Sequence, residues 1–117
     1  YRKNLYEYYE SLISGIDFLS RPLMMNDTIY NYSYYPIIFE SEKKLKEVKS
    51  SLNKNEIYPR RYFYPSLNKL DLNYHKIYDC PISEDISKRI ICLPISTYLK
   101  EEDIVKIIKI IKESHFK

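Results

Sequence analysis

Residues 57–67 read Ile57-Tyr58-Pro59-Arg60-Arg61-Tyr62-Phe63-Tyr64-Pro65-Ser66-Leu67. Two adjacent guanidinium groups and four aromatic rings crowd around two prolines. From Glu56 to Tyr64 most residues favour extended backbone. Strict alternation would then put Tyr58, Arg60, Tyr62 and Tyr64 on one face, with Ile57, Pro59, Arg61 and Phe63 on the other. The two arginines would point apart unless Pro59 introduces a bulge that re-aims one of them. An arginine fork suits a carboxylate or phosphate, and a neighbouring tyrosine can stack or donate its hydroxyl. The same composition also suits a half-exposed sheet face that holds no ligand. The segment is read as contributing anion-binding and ring-packing groups to a site that the chain does not complete alone.

Downstream of this strand a polar loop runs from Ser66 to Asp79. Its Tyr74-His75 pair has no cysteine or carboxylate at metal-ligand spacing, and no metal site is expected there. His115 reads as a surface residue. Ser83 to Lys88 begins a short helix, with Ser83 as its cap and Glu84 and Asp85 in an acidic first turn. Arg89 to Ile95 is strongly apolar and reads as a buried central strand that Pro94 ends. Lys100 to Glu113 has the clearest helical period. Ile104, Val105, Ile107, Ile108 and Ile111 form its core face, and Lys106, Lys109 and Lys112 its wet face. Glu101, Glu102 and Asp103 suit its positive N-terminal end.

Upstream, Glu40 to Asn53 predicts a helix capped by Ser41. Leu45, Val48 and Leu52 are its apolar stripe, and Lys43, Lys44, Lys46 and Lys49 face water. Asn31 to Glu40 predicts a strand that Pro36 confines to an edge or a bulge. Gly15 to Tyr30 is a connector with turn chemistry at Asn26-Asp27-Thr28. Tyr1 to Leu12 is helical, with Leu5, Tyr8, Tyr9 and Leu12 on one face. Arg2 and Lys3 oppose the helix dipole there, as if the chain began inside a longer helix. The order predicts a small α+β domain: a mostly antiparallel sheet of about three strands with helices on one face.

Bulk properties narrow the function. A chain of 117 residues makes one domain, and a net charge of +3 is too small to announce a nucleic-acid binder. The single glycine, Gly15, excludes a P-loop or a dinucleotide fold, whose backbone must approach phosphate closely at several glycines. Cys80 and Cys92 do not make a disulfide framework. They read as reduced, at least half-buried thiols of a cytoplasmic protein with no membrane span.

Three blocks stand together: Pro59-Arg60-Arg61-Tyr62-Phe63-Tyr64-Pro65-Ser66-Leu67, then Cys80-Pro81-Ile82-Ser83-Glu84-Asp85 running to Cys92-Leu93-Pro94, then Glu101-Glu102-Asp103-Ile104. This combination resembles the C-terminal small domain of the DegT/DnrJ/StrS sugar-nucleotide aminotransferases, over nearly the whole chain. Within that group the Arg-Arg-Tyr-Phe-Tyr-Pro segment looks most like enzymes that aminate the 3- or 4-keto position of dTDP-linked deoxysugars. Lys100 departs from relatives that carry Ser or Asp as the last helix's cap.

The resemblance implies a fold-type-I, pyridoxal-phosphate (PLP)-dependent enzyme working as a homodimer. It would move an amino group from glutamate to a keto sugar nucleotide. Residues 1–30 would be a truncated linking helix and connector, and residues 31–117 the small domain. The Schiff-base lysine would lie in a large domain outside this chain, so no catalytic or cofactor-binding residue is expected here and the chain alone would be inactive. That large domain would cover apolar residues on the first helix and one sheet edge. Carried over by position, Arg60, Arg61, Tyr62 and Tyr64 are the expected sugar-nucleotide contacts. A competing possibility is a freestanding module in which Tyr58, Tyr62 and Tyr64 stack single-stranded nucleic acid and Arg60 meets its backbone.

Overall fold

The structure, a computed structural model, describes residues 1–62, 64–71 and 78–114. Phe63, the Tyr74-His75 pair and His115 lie outside the described residues. Ile90–Leu93 (β3) is apolar throughout and buried throughout. Tyr35–Phe39 (β2) alternates, burying Tyr35, Ile37 and Phe39. These patterns are those of strands that face a packed layer. β2 runs antiparallel to β3, with Tyr35 opposite Leu93 and Ile37 opposite Ile91. On its other side β2 pairs with the two-residue strand Leu19–Ser20 (β1), giving the order β1-β2-β3.

The helices are Arg2–Ile13 (α1), Glu42–Lys54 (α2), Pro81–Arg89 (α3) and Glu101–Glu113 (α4). Leu5 and Tyr9 of α1, Leu45, Val48 and Leu52 of α2, and Ile104, Ile107, Ile108 and Ile111 of α4 share one core with Tyr35, Ile37, Phe39, Ile91 and Leu93. The sheet therefore carries three helices on one face, and the expected α+β architecture stands.

Several local expectations are corrected. The third strand is not the Glu56–Tyr64 stretch, whose described residues join the sheet through a single antiparallel bridge, Arg60 to Cys92. Prolines at 59 and 65 leave too few donors around it for a ladder. The third strand comes instead from the connector. Pro36 sits in the middle strand rather than at an edge. Cys92 gives its backbone N–H and C=O to Arg60, so the facing Pro36 needs no donor on that side. On the other side β1 has already ended.

Ser41 caps α2 as expected, accepting from the Lys44 N–H. Lys44 itself does not face water. It is 7% exposed, its ammonium 4.6 Å from the Phe18 ring and 3.4 Å from the Ser114 carbonyl. α3 begins at Pro81, with Cys80 rather than Ser83 as cap, because proline is pre-organised for the first helical position and Glu84 accepts from the Cys80 N–H. Val105 is 45% exposed and leaves the core face of α4. At Lys100 the missing cap side chain is offset by Asp103, which accepts from the Lys100 N–H at 2.9 Å. Exposed apolar residues gather not on α1 but in the connector, at Leu23, Met25 and Ile29.

Candidate functional site

The bridge to β3 fixes the backbone of Arg60, with Arg60 N–H to Cys92 C=O at 3.1 Å and Cys92 N–H to Arg60 C=O at 2.8 Å. Directly opposed residues project to the same face. Cys92 alternates with Ile91 and Leu93, which face the helices, so Arg60 lies on the sheet face away from α1, α2 and α4. It lines a recess of about 520 Å³ together with Tyr58 and Tyr62. Ser33, Tyr34, Ser96 and Arg2 complete its polar and aromatic lining. Tyr34 and Tyr62 meet edge to face, centroids 5.0 Å apart. Pro94 lines the recess from β3's end, braced from behind by the Tyr9 hydroxyl, which donates to its carbonyl at 2.8 Å. Tyr9 in turn stacks on Tyr35 at 4.4 Å.

Cys92 also lines this recess. Burial pushes its thiol up to about 11, so it stays protonated at neutral pH and is no nucleophile.

Arg61 goes elsewhere. Its guanidinium donates to Glu42 at 3.2 Å and to the Lys88 carbonyl at 3.1 Å, tying α2 to the end of α3. Tyr64 caps it, the ring centroid 3.8 Å from the guanidinium carbon. The bond from Arg61, helped by Lys46, holds the Glu42 carboxyl below its ordinary value. The structure thus brings Arg60, Tyr62 and Tyr58 together and sets Arg61 and Tyr64 apart, against the expectation that Tyr64 shares the Arg60 face.

Two further arginines are tied up. Arg21 donates to Glu10 at 2.7 Å and to the Tyr6 hydroxyl at 2.6 Å, and lies 3.9 Å over the Tyr35 ring. Arg89 pairs with Asp85 at 2.7 Å. Among the described residues Arg2 and Arg60 have no carboxylate partner, and both line the same recess. In the sequence, Arg2 reads only as a helix-end charge. Its place at the recess follows from tertiary packing that periodicity does not carry.

The one buried lysine among the described residues is not free to anchor PLP. An anchoring lysine must present its amine freely to a cavity. Lys44, buried most deeply, has its amine engaged by Ser114, Glu47 and Phe18. No group of His, Cys, Asp and Glu among the described residues could hold a metal ion, and no described helix is long and apolar enough to cross a membrane.

Comparison with known proteins gives this arrangement its class. The model of the DegT/DnrJ/EryC1/StrS aminotransferase family matches residues 1–112, and the chain belongs to that family. Two curated relatives are dTDP-4-amino-4,6-dideoxy-D-glucose transaminases. The Escherichia coli protein is 31% identical over 116 residues, which cover 94% of this chain and 31% of that protein. The Shigella dysenteriae protein is 29% identical over 116 residues, covering 96% of this chain and 32% of that protein. The chain spans about a third of the length of these relatives. Among solved structures, a DegT DnrJ EryC1 StrS aminotransferase from Brucella abortus superimposes with a TM-score of 0.81 at 25% identity, covering 99% of this chain and 31% of that one. The aminotransferase TlmJ from Streptoalloteichus hindustanus shares the fold, with a TM-score of 0.85 at 19% identity over 98% of this chain and 31% of its own.

Proposed function

We propose that this chain is the C-terminal small domain of a longer PLP-dependent aminotransferase that transfers an amino group from glutamate to a keto-deoxysugar nucleotide. In this reading residues 1–30 link to a large domain that holds PLP and its lysine, and residues 31–117 form one wall of the substrate cleft. The enzyme would act as a cytoplasmic homodimer that provides aminosugars for cell-surface polysaccharide.

One observation carries the reading: Arg60 stands without a carboxylate partner among the described residues, in a tyrosine-lined recess. A guanidinium held in place by its backbone and left unneutralised is poised for an anionic ligand. Tyr62 and Tyr58 offer rings and hydroxyls beside it, as sugar recognition needs. The dTDP-sugar substrate of the two relatives supplies an anion of the right kind. Arg61 and Tyr64, engaged with Glu42 and with each other, support the wall from behind rather than face the ligand.

The test is Arg60→Ala in the complete enzyme. Losing a charge-assisted contact of roughly 1.5–3 kcal/mol should raise KM for the sugar nucleotide by about ten-fold or more. The half-reaction with glutamate should keep its rate. An unchanged KM for the sugar nucleotide overturns the substrate role of Arg60.

A further inference from the structure

We propose that Arg2 and Arg60 are the two arms of one anion seat, built for the diphosphate of a nucleotide-linked sugar. The inference rests on the aminotransferase reading above and adds to it a second residue, from a different element, and the part of the ligand that the pair grips.

Arg2 opens α1, whereas Arg60 is held by β3, far from it in sequence. They line the same recess, and none of the described residues lining it is Asp or Glu. Two permanent positive charges therefore share one concave surface with nothing opposite in sign on its wall. They repel each other, and a recess focuses the field they make. The other three arginines of the chain each reach a carboxylate. Lys3, beside Arg2, also has one, Glu7 at 3.9 Å. Among the arginines, the absence of a carboxylate partner in the described residues is thus confined to the two that line this recess.

A single carboxylate would neutralise one guanidinium and leave the other. A diphosphate carries a charge for each arm and enough oxygens for two planar forks. The Ser33 and Ser96 hydroxyls on the same wall can donate to oxygens that the forks leave free. Tyr58, exposed at the rim, gives the attached sugar or base an aromatic surface. A recess of about 520 Å³ is of the size that small-ligand sites occupy.

Calorimetric titration of the complete, PLP-loaded enzyme tests this, with inorganic pyrophosphate and thymidine diphosphate as probes. Arg2→Gln and Arg60→Gln should each weaken both probes by about ten-fold or more, and Lys3→Gln by less than about two-fold. Arg2 is exposed, and an unchanged circular dichroism spectrum confirms that Arg2→Gln folds. If Arg2→Gln binds like the parent while Arg60→Gln does not, Arg60 acts alone. The two-armed seat is then overturned and the aminotransferase reading stands. If Lys3→Gln weakens binding as much as Arg2→Gln, a diffuse positive field is responsible and the seat is overturned. Binding of pyrophosphate without thymidine diphosphate rules out the nucleotide-linked ligand.

Discussion

Arg61 holds Glu42, the Lys88 carbonyl and the face of Tyr64, whereas Arg60, one residue earlier, is fixed through its backbone pairing with Cys92. The first ties helices together, and the second stands at a recess where no described carboxylate neutralises it. Residue type and sequence position hardly differ between them. What differs is the surroundings into which the bridge to β3 sends each side chain, and whether a carboxylate waits there. An arginine with its charge met is a strut. One with its charge unmet, on a braced backbone, is available to a ligand.

The largest expected effect probes what the recess side depends on. Tyr9→Ala removes a fully buried ring, its stack on Tyr35 and the bond that braces Pro94. Denaturant unfolding should show a loss of about 3–5 kcal/mol. A loss under about 1 kcal/mol would mean that the recess does not lean on α1.

Next comes the contrast itself. Arg61→Ala should destabilise by about 1–3 kcal/mol, through lost packing and the stranded partners it leaves. Arg60→Ala should stay within about 0.5 kcal/mol of the parent. Equal midpoints for the two variants would erase the distinction between strut and ligand arm.

The smallest effect is on pH dependence. Glu42 has its folded value depressed by Arg61, so its contribution is present above the ordinary 4.5 and is lost as pH falls through the lower folded value. Glu42→Gln should therefore lower Tm at neutral pH and converge with the parent under strong acid. Arg60→Ala should track the parent at every pH. A Glu42→Gln curve that runs parallel to the parent's throughout would show that the pair does not stabilise the fold.

α2 and α4 are legible from period and helix-start chemistry alone: Ser41, the acidic start of α4 and the isoleucine stripe each point to one structure, whereas the start of α3 is misplaced because Pro81 sets it ahead of Ser83. β3 is equally plain as an apolar run ended by proline. The sheet's third member is not legible, because a strand of two residues has no periodicity to read and the tyrosine-rich segment has more of the composition of a strand than β1 does. Lys44 is missed because its type predicts water, and only the three-dimensional placement of Phe18 and Ser114 reveals a seat for its ammonium. For the site, Arg60 and Tyr62 are named by the segment itself. Arg2 is not, since nothing local links the first turn of α1 to a bridge on β3. Arg61 and Tyr64 carry the same local signal as their neighbours, and only the position of Glu42 separates them.

Pro36 has one more consequence. β1 covers only the Ile38–Phe39 end of β2, so the other half of that flank has no strand partner among the described residues. An open flank invites a foreign strand to zip onto it and seed fibrils. Here proline presents no N–H to such an intruder, and the Tyr30 hydroxyl already occupies the Tyr34 carbonyl. The short third strand is thus tolerable because the chain has disarmed the stretch that it leaves bare.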